Sequence, residues 1–222
     1  MCGRFSLFVP PAVLGERFDA DPNGHIEARY NIAPGDDVAT ISNSQPEVID
    51  TFQWGLVPDW ADEDWTPQIN ARAETVAEKP AFRDAFAERR CVVLADGFYE
   101  WQSGRAAKQP YRIQRADGDP FAFAGLWADR GGTSTVAIVT TAANEVVEPV
   151  HDRMPVMLEP GEERRWLAAD DETAHRRLLD PFPATQTEAY PVSTAVNDPQ
   201  NDSPTVVERV AVDEQAGLDE FG

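Results

Sequence analysis

Lysine is nearly missing from this chain. Of nineteen basic side chains in 222 residues only Lys79 and Lys108 are lysine, and 39 acidic side chains oppose them, leaving a formal net charge of −20. That balance argues against a generic polybasic nucleic-acid binder. A large carboxylate excess suits a protein kept soluble in concentrated salt, where charges are screened within roughly 3 Å at 1 M, and a salt-adapted cytoplasm is the expected setting. Cysteine is also scarce. Cys2 and Cys91 cannot build the disulfide framework of a small secreted protein, and with three histidines they make a poor source of zinc ligands. No metal and no cofactor is expected. No window approaches the run of about 18 apolar residues that a membrane span needs, and the amino terminus lacks the regions of a secretory signal. Repeats, low-complexity tracts and long Gly/Ser linkers are missing too, so the expectation is one domain over residues 1–212 and an acidic tail over residues 213–222.

What is present is enough to build a core: 42% of the residues are hydrophobic. Short β-rich runs recur between turn signals, at residues 37–42, 47–54, 90–95, 99–102, 111–115, 121–126, 135–140, 156–158, 189–194 and 205–210. Helical patterns are fewer, at residues 11–18, 81–89, 144–150, 161–168 and 173–179, with Pro11, Pro80 and Pro160 where a helix would begin. The pattern predicts an α+β class with strand in excess: a mainly antiparallel curved sheet or barrel-like core with a few peripheral helices. Residues 59–64 (DWADED) read as an acidic surface loop.

The amino terminus reads Met-Cys-Gly-Arg-Phe. Methionine aminopeptidases act when the second residue is small, so the mature chain is expected to begin with Cys2. An amino-terminal cysteine carries its amine and thiol on adjacent carbons, and unperturbed they titrate at about 7.7–8.0 and about 8.5. The amine can condense with an aldehyde to a Schiff base, which the thiol then closes to a five-membered thiazolidine. The plainer reading is a small apolar residue in a first strand, since free cysteine is usually buried.

Three further segments carry candidate chemistry. Asn70, Arg72 and Glu74 alternate, so on an extended segment they share one face that could bind a phosphate and a sugar, or merely an exposed salt bridge. Residues 91–101 read as an apolar strand, an Asp96-Gly97 turn and a second strand with Glu100 between Tyr99 and Trp101. A carboxylate among aromatic rings is poorly solvated and suited to proton shuttling; ordinary alternation would instead point it outward. His151, one of three histidines, follows a Thr140-Thr141-Ala142-Ala143-Asn144 run and precedes a strand. Alone it reads as a structural histidine, and beside a reactive amine and a carboxylate as an acid or base.

These segments, in order, resemble the SOS response-associated peptidase family, whose members process abasic sites. They are MCGRF at the start, RYNIAPG from Arg29, WGLVPDW from Trp54, INARAET from Ile69, RRCVVLADGFYEW from Arg89, FAGLW from Phe123, TTAAN from Thr140, HDRMPVML from His151 and VSTAVN from Val192. The resemblance implies a strand-rich α+β fold with a groove for single-stranded DNA and a Cys2 that captures the abasic-site aldehyde as a thiazolidine. Within it Asn70 positions the amine or the opened sugar, Glu100 shuttles protons, and His151 protonates the sugar oxygen with Thr140 as its neighbour. Arg4, Arg72 and Arg153 become phosphate or sugar contacts, and Trp54, Trp101 and Pro34 base-stacking or wedge surfaces.

The resemblance further implies a monomer whose partner is single-stranded DNA containing abasic sites, cytoplasmic and on the nucleoid when bound. The chain departs from what a DNA binder prefers in its acidic residues 59–64 and in its net charge. Two other classes stay open. One is a cysteine peptidase with Cys2 as nucleophile and His151 as base, removing its own Met1 or cutting other chains. The other is a passive single-strand-binding module using its tryptophans and arginines.

Overall fold

A computed structural model describes residues 2–102, 108–168 and 171–211. The first half runs β1 (Phe5–Leu7), α1 (Pro11–Phe18), β2 (Asp21–Pro22), β3 (Arg29–Ile32), β4 (Asp37–Ser42), β5 (Gln45–Trp54), β6 (Asn70–Arg72) and α2 (Arg83–Glu88). It continues through β7 (Arg90–Ala95), β8 (Gly97–Gln102), β9 (Gln109–Arg115), β10 (Phe121–Arg130) and β11 (Thr133–Ala142). The chain then forms β12 (Arg153–Pro155), β13 (Met157–Leu158), α3 (Glu162–Ala168), α4 (Glu172–Arg176) and β14 (Thr187–Pro191). The expected tail at residues 213–222 lies outside the described residues.

Two sheets organise these strands. The smaller has the order β14-β9-β8-β1-β3. In the larger, β4 lies between β5 and β7, β10 joins β7 to β11, and β11 turns back to pair in parallel with β5 at Thr135↔Gln53 and Val136↔Trp54. Five strands thus close on themselves, which removes the exposed edges an open sheet would leave. All six residues of β7 are buried, as befits a strand paired on both sides and covered on both faces.

Phe5 of β1 packs its ring edge-on against Trp54, centroids 5.1 Å apart, and against Phe123 at 5.6 Å. That contact brings the smaller sheet, and with it the amino terminus, onto the barrel. Cys91 is a buried free thiol in the same core. It explains Gly125, where a Cβ would stand 2.8 Å from the Cys91 sulfur.

The structure corrects three expectations. Residues 95–98 form no hairpin, because β7 and β8 belong to different sheets and do not pair. Asp96 is instead a buried corner: Arg112 donates to its Oδ1 at 3.0 Å, Ser6 Oγ at 2.6 Å and the Phe8 amide to Oδ2 at 2.6 Å. Gly97 is required by the close approach of Arg112, whose guanidinium lies 2.5 Å from where a Cβ would be. Residues 144–150 form turns rather than a helix. Asn144 Oδ1 accepts from the Val146 and Val147 amides, and its Nδ2 donates to Phe182 O and Thr187 Oγ1. The segment at 205–210 is a 3₁₀ turn over Pro204–Val207 with a single bridge from Val192 to Arg209, too short to extend a sheet.

Candidate functional site

Cys2 leads directly into β1 and is fully buried. Its Sγ lies 4.0 Å from the Arg4 carbonyl, a weak contact. Burial pushes the thiol well above its ordinary range, and the neighbouring Glu100 charge pushes it further the same way. Glu100 is on β8, the strand paired with β1. It is 3% exposed, so the outward-facing alternative is excluded. Desolvation raises its carboxyl, and the charge of His151 pulls partly against that rise. Glu100 is therefore close enough to act on the Cys2 thiol, and His151 close enough to act on the Glu100 carboxyl.

Asn70 is placed by a different route. Strand β6 lies parallel to β11, with Asn70 opposite Ile138 and Arg72 opposite Thr140. Trp54 donates from Nε1 to the Ile69 carbonyl at 3.0 Å while packing on Phe5, so one indole ties the Asn70 segment to the Cys2 segment. The Asn70 side-chain amide is enclosed, and among the described residues neither its oxygen nor its nitrogen has a hydrogen-bond partner. An enclosed, unused amide is costly to a fold and useful to an incoming ligand.

His151 Nδ1 accepts from the Arg153 amide at 3.0 Å. Asp152 Oδ1 is also 3.0 Å from Nδ1, with its side chain 88% exposed. The amide hydrogen claims the Nδ1 lone pair, so the neutral ring carries its proton on Nε2, and Asp152 becomes an ion-pair partner only when the ring is protonated. The Thr140 carbonyl accepts from the Ala73 amide at 2.9 Å and from Arg153 Nη2 at 2.7 Å. Thr140 thus braces the segment carrying Asn70 against the segment carrying His151.

The arginines divide by how committed they are. Arg72 is exposed, and its side chain forms no hydrogen bond or ion pair among the described residues. Arg4 donates from Nη1 to Asn31 Oδ1 and to the Val196 carbonyl, each at 2.8 Å, and burial lowers its guanidinium somewhat. Arg153 is paired with Glu74 through both nitrogens of its fork.

The aromatic expectations need revision. Trp54 is 1% exposed and sits in the core, so it is a bracket for the site and has no face to offer a base. Trp101 is half-buried, bonded through Nε1 to Asn197 at 2.7 Å and beneath Arg4, whose guanidinium carbon is 6.0 Å from the ring centroid. Pro34 is exposed in the turn between β3 and β4. Trp60 was missed in the sequence: it is 54% exposed within the acidic loop, edge-on to Trp65 at 5.1 Å. Its signal was its place in that loop between two charged stretches.

A groove of about 310 Å³ lined by Phe18, Ile41, Val92, Glu163 and Leu167 lies beside α1 and α3 and includes none of these residues. Among the described residues no three His, Cys, Asp or Glu gather as metal ligands, and no helix is long and apolar enough to cross a membrane.

Residues 1–199 match the family model described as SOS response associated peptidase (SRAP). The chain is 41% identical over 222 residues to the abasic site processing protein YoqW of Bacillus subtilis, covering 94% of this chain and 99% of that one. It is 33% identical over 228 residues to the abasic site processing protein YedK of Escherichia coli, covering 95% and 100%. A crystal structure of a protein from Bacteroides thetaiotaomicron superposes with a TM-score of 0.85 at 26% identity, over 95% of this chain and all of that one.

Proposed function

Because the chain belongs to the SOS response associated peptidase family, we propose that it captures abasic sites in single-stranded DNA as a covalent adduct through the amino-terminal cysteine left when Met1 is removed. The observation that carries this reading is the burial of Cys2, at the start of the segment leading into β1, beside a buried Glu100 on the paired strand β8, with His151 close enough to act on the Glu100 carboxyl.

The chemistry proceeds in three steps. The closed sugar of an abasic site must first open to its aldehyde: His151 in its protonated form gives the Nε2 proton to the ring oxygen as the C–O bond breaks, and the anomeric hydroxyl proton passes through water back to the imidazole as the carbonyl forms. The Cys2 amine then adds to the aldehyde carbon. Glu100, whose burial favours its neutral form, gives a proton to the departing hydroxyl and takes one from the nitrogen, so that water leaves and an imine remains. Last, the Cys2 sulfur adds to the imine carbon while its proton passes by way of Glu100 to the imine nitrogen, closing the thiazolidine. The sum is aldehyde plus aminothiol giving thiazolidine plus one water. Asn70 supplies both a donor and an acceptor to the sugar hydroxyl or the aldehyde oxygen. Arg4, Arg72 and Arg153 serve the DNA backbone, and Trp101, Pro34 and exposed Trp60 serve the bases. On this reading the protein acts as a monomer in the cytoplasm.

The peptidase reading is disfavoured by a specific observation. A cysteine peptidase needs a thiolate, and burial displaces the Cys2 thiol in the opposite direction. Late addition of a neutral thiol to a preformed imine has no such need.

Incubating the protein with an oligonucleotide carrying one abasic site, then resolving the products on a denaturing gel, tests the proposal. The protein should form a heat-stable slow-migrating species, and Cys2→Ser should lose its durability. An undiminished band from Cys2→Ser would overturn the reading.

A further inference from the structure

Arg153 is already occupied. Its Nη1 and Nη2 meet Oε1 and Oε2 of Glu74, the second contact at 3.0 Å, in a two-pronged pair. The Glu74 side chain is 54% exposed and that of Arg153 only 14%. The pair thus stands with the carboxylate toward solvent and the guanidinium fixed beneath it, where Nη2 also reaches the Thr140 carbonyl at 2.7 Å. Glu74 is held ionised, its carboxyl lowered chiefly by the Arg153 hydrogen bond, with the Arg72 charge acting in the same direction.

A carboxylate in a guanidinium fork has the shape and sign of charge of the two non-bridging oxygens of a phosphodiester. Glu74 therefore fills the coordination that a DNA phosphate would take on Arg153, beside an Arg72 that is open. We infer that Glu74 is an internal competitor for Arg153, which withholds one arginine from the DNA backbone until a phosphate displaces it. The inference rests on the reading that this face binds single-stranded DNA. A half-exposed ion pair is worth little in water, so displacement is cheap and Glu74 tunes binding without blocking it. The consequence is weak retention on undamaged strands and selection by the covalent step.

The test is fluorescence anisotropy with an undamaged single-stranded oligothymidine across a salt series, for the protein, Glu74→Gln, Arg153→Gln and the double variant. Glu74→Gln should bind about two- to fivefold more tightly, the range an exposed ion pair spans. Its slope of log affinity against log salt should steepen by about 0.7, the increment for one single-strand phosphate contact. In the Arg153→Gln background Glu74→Gln should change neither quantity. No gain from Glu74→Gln overturns the inference, as does an equal gain without Arg153, which would make Glu74 one repelling charge among many. The abasic oligonucleotide is run in parallel. Adduct formation without a Glu74 effect overturns this inference alone, whereas failure to bind either strand overturns the reading beneath it.

Discussion

A carboxylate that is 3% exposed burdens a fold when ionised, and Glu100 is one. Its folded-state pKa is raised, so the stability it contributes is fully present below the ordinary glutamate value of about 4.3 and is lost as pH rises through the folded value. Glu100→Gln should therefore melt higher than the parent at neutral pH, with the gap closing toward pH 4, while adduct formation in single-turnover assays slows by about 10²–10⁴-fold. A variant that melts lower at neutral pH would contradict the assigned burden. Asn70 calls for a similar separation. Among the described residues its side-chain amide has no partner to lose, so Asn70→Ala should leave the melting temperature unchanged or raised while slowing the reaction, and a clear drop in melting temperature would assign it to the fold instead. Cys2 and His151 stand out in the sequence as rare types, one of two cysteines and one of three histidines, whereas Glu100, one of eighteen glutamates, stands out only by its place between Tyr99 and Trp101. The division of labour among tryptophans was not. Trp54 and Trp60 frame one short motif, and only tertiary packing buries the first and exposes the second.

Among the elements, β4 and β7 have the bounds their patterns predict, residues 37–42 and 90–95, because an apolar run between turn signals fixes a strand locally. The barrel is another matter. It closes through a parallel pairing of β5 with β11, some eighty positions away in sequence, and no local pattern encodes that contact. The same limit explains the Asp96-Gly97 step, which has the composition of a hairpin turn and serves as a corner between sheets. Gly97→Ala tests that corner. A Cβ there meets the Arg112 guanidinium at 2.5 Å and would displace it from Asp96. Breaking a buried pair costs about 3–5 kcal/mol, and urea denaturation should show a loss of that size. Unchanged stability would mean the corner relaxes freely.

For the whole molecule the governing fact is a net charge of −20 meeting a polyanion. Self-repulsion should weaken in concentrated salt, so the melting temperature is expected to rise from low salt to molar potassium chloride, and a fall would contradict that account. Non-covalent DNA affinity should move the opposite way, losing about 0.7 in logarithmic slope for each phosphate contact. A covalent trap tolerates that loss, since a brief encounter suffices once the ring closes, and adduct yield at long times should outlast equilibrium binding as salt increases. The central claim is that the whole chain, shortened by Met1, joins an abasic strand through Cys2. Intact mass spectrometry of the adduct, with peptide mapping, tests it most directly. The predicted species has the mass of the protein lacking Met1 plus the oligonucleotide less one water, with the DNA remnant on the peptide beginning at Cys2. An adduct that retains Met1, or one mapped to Lys79 or Lys108, would contradict it.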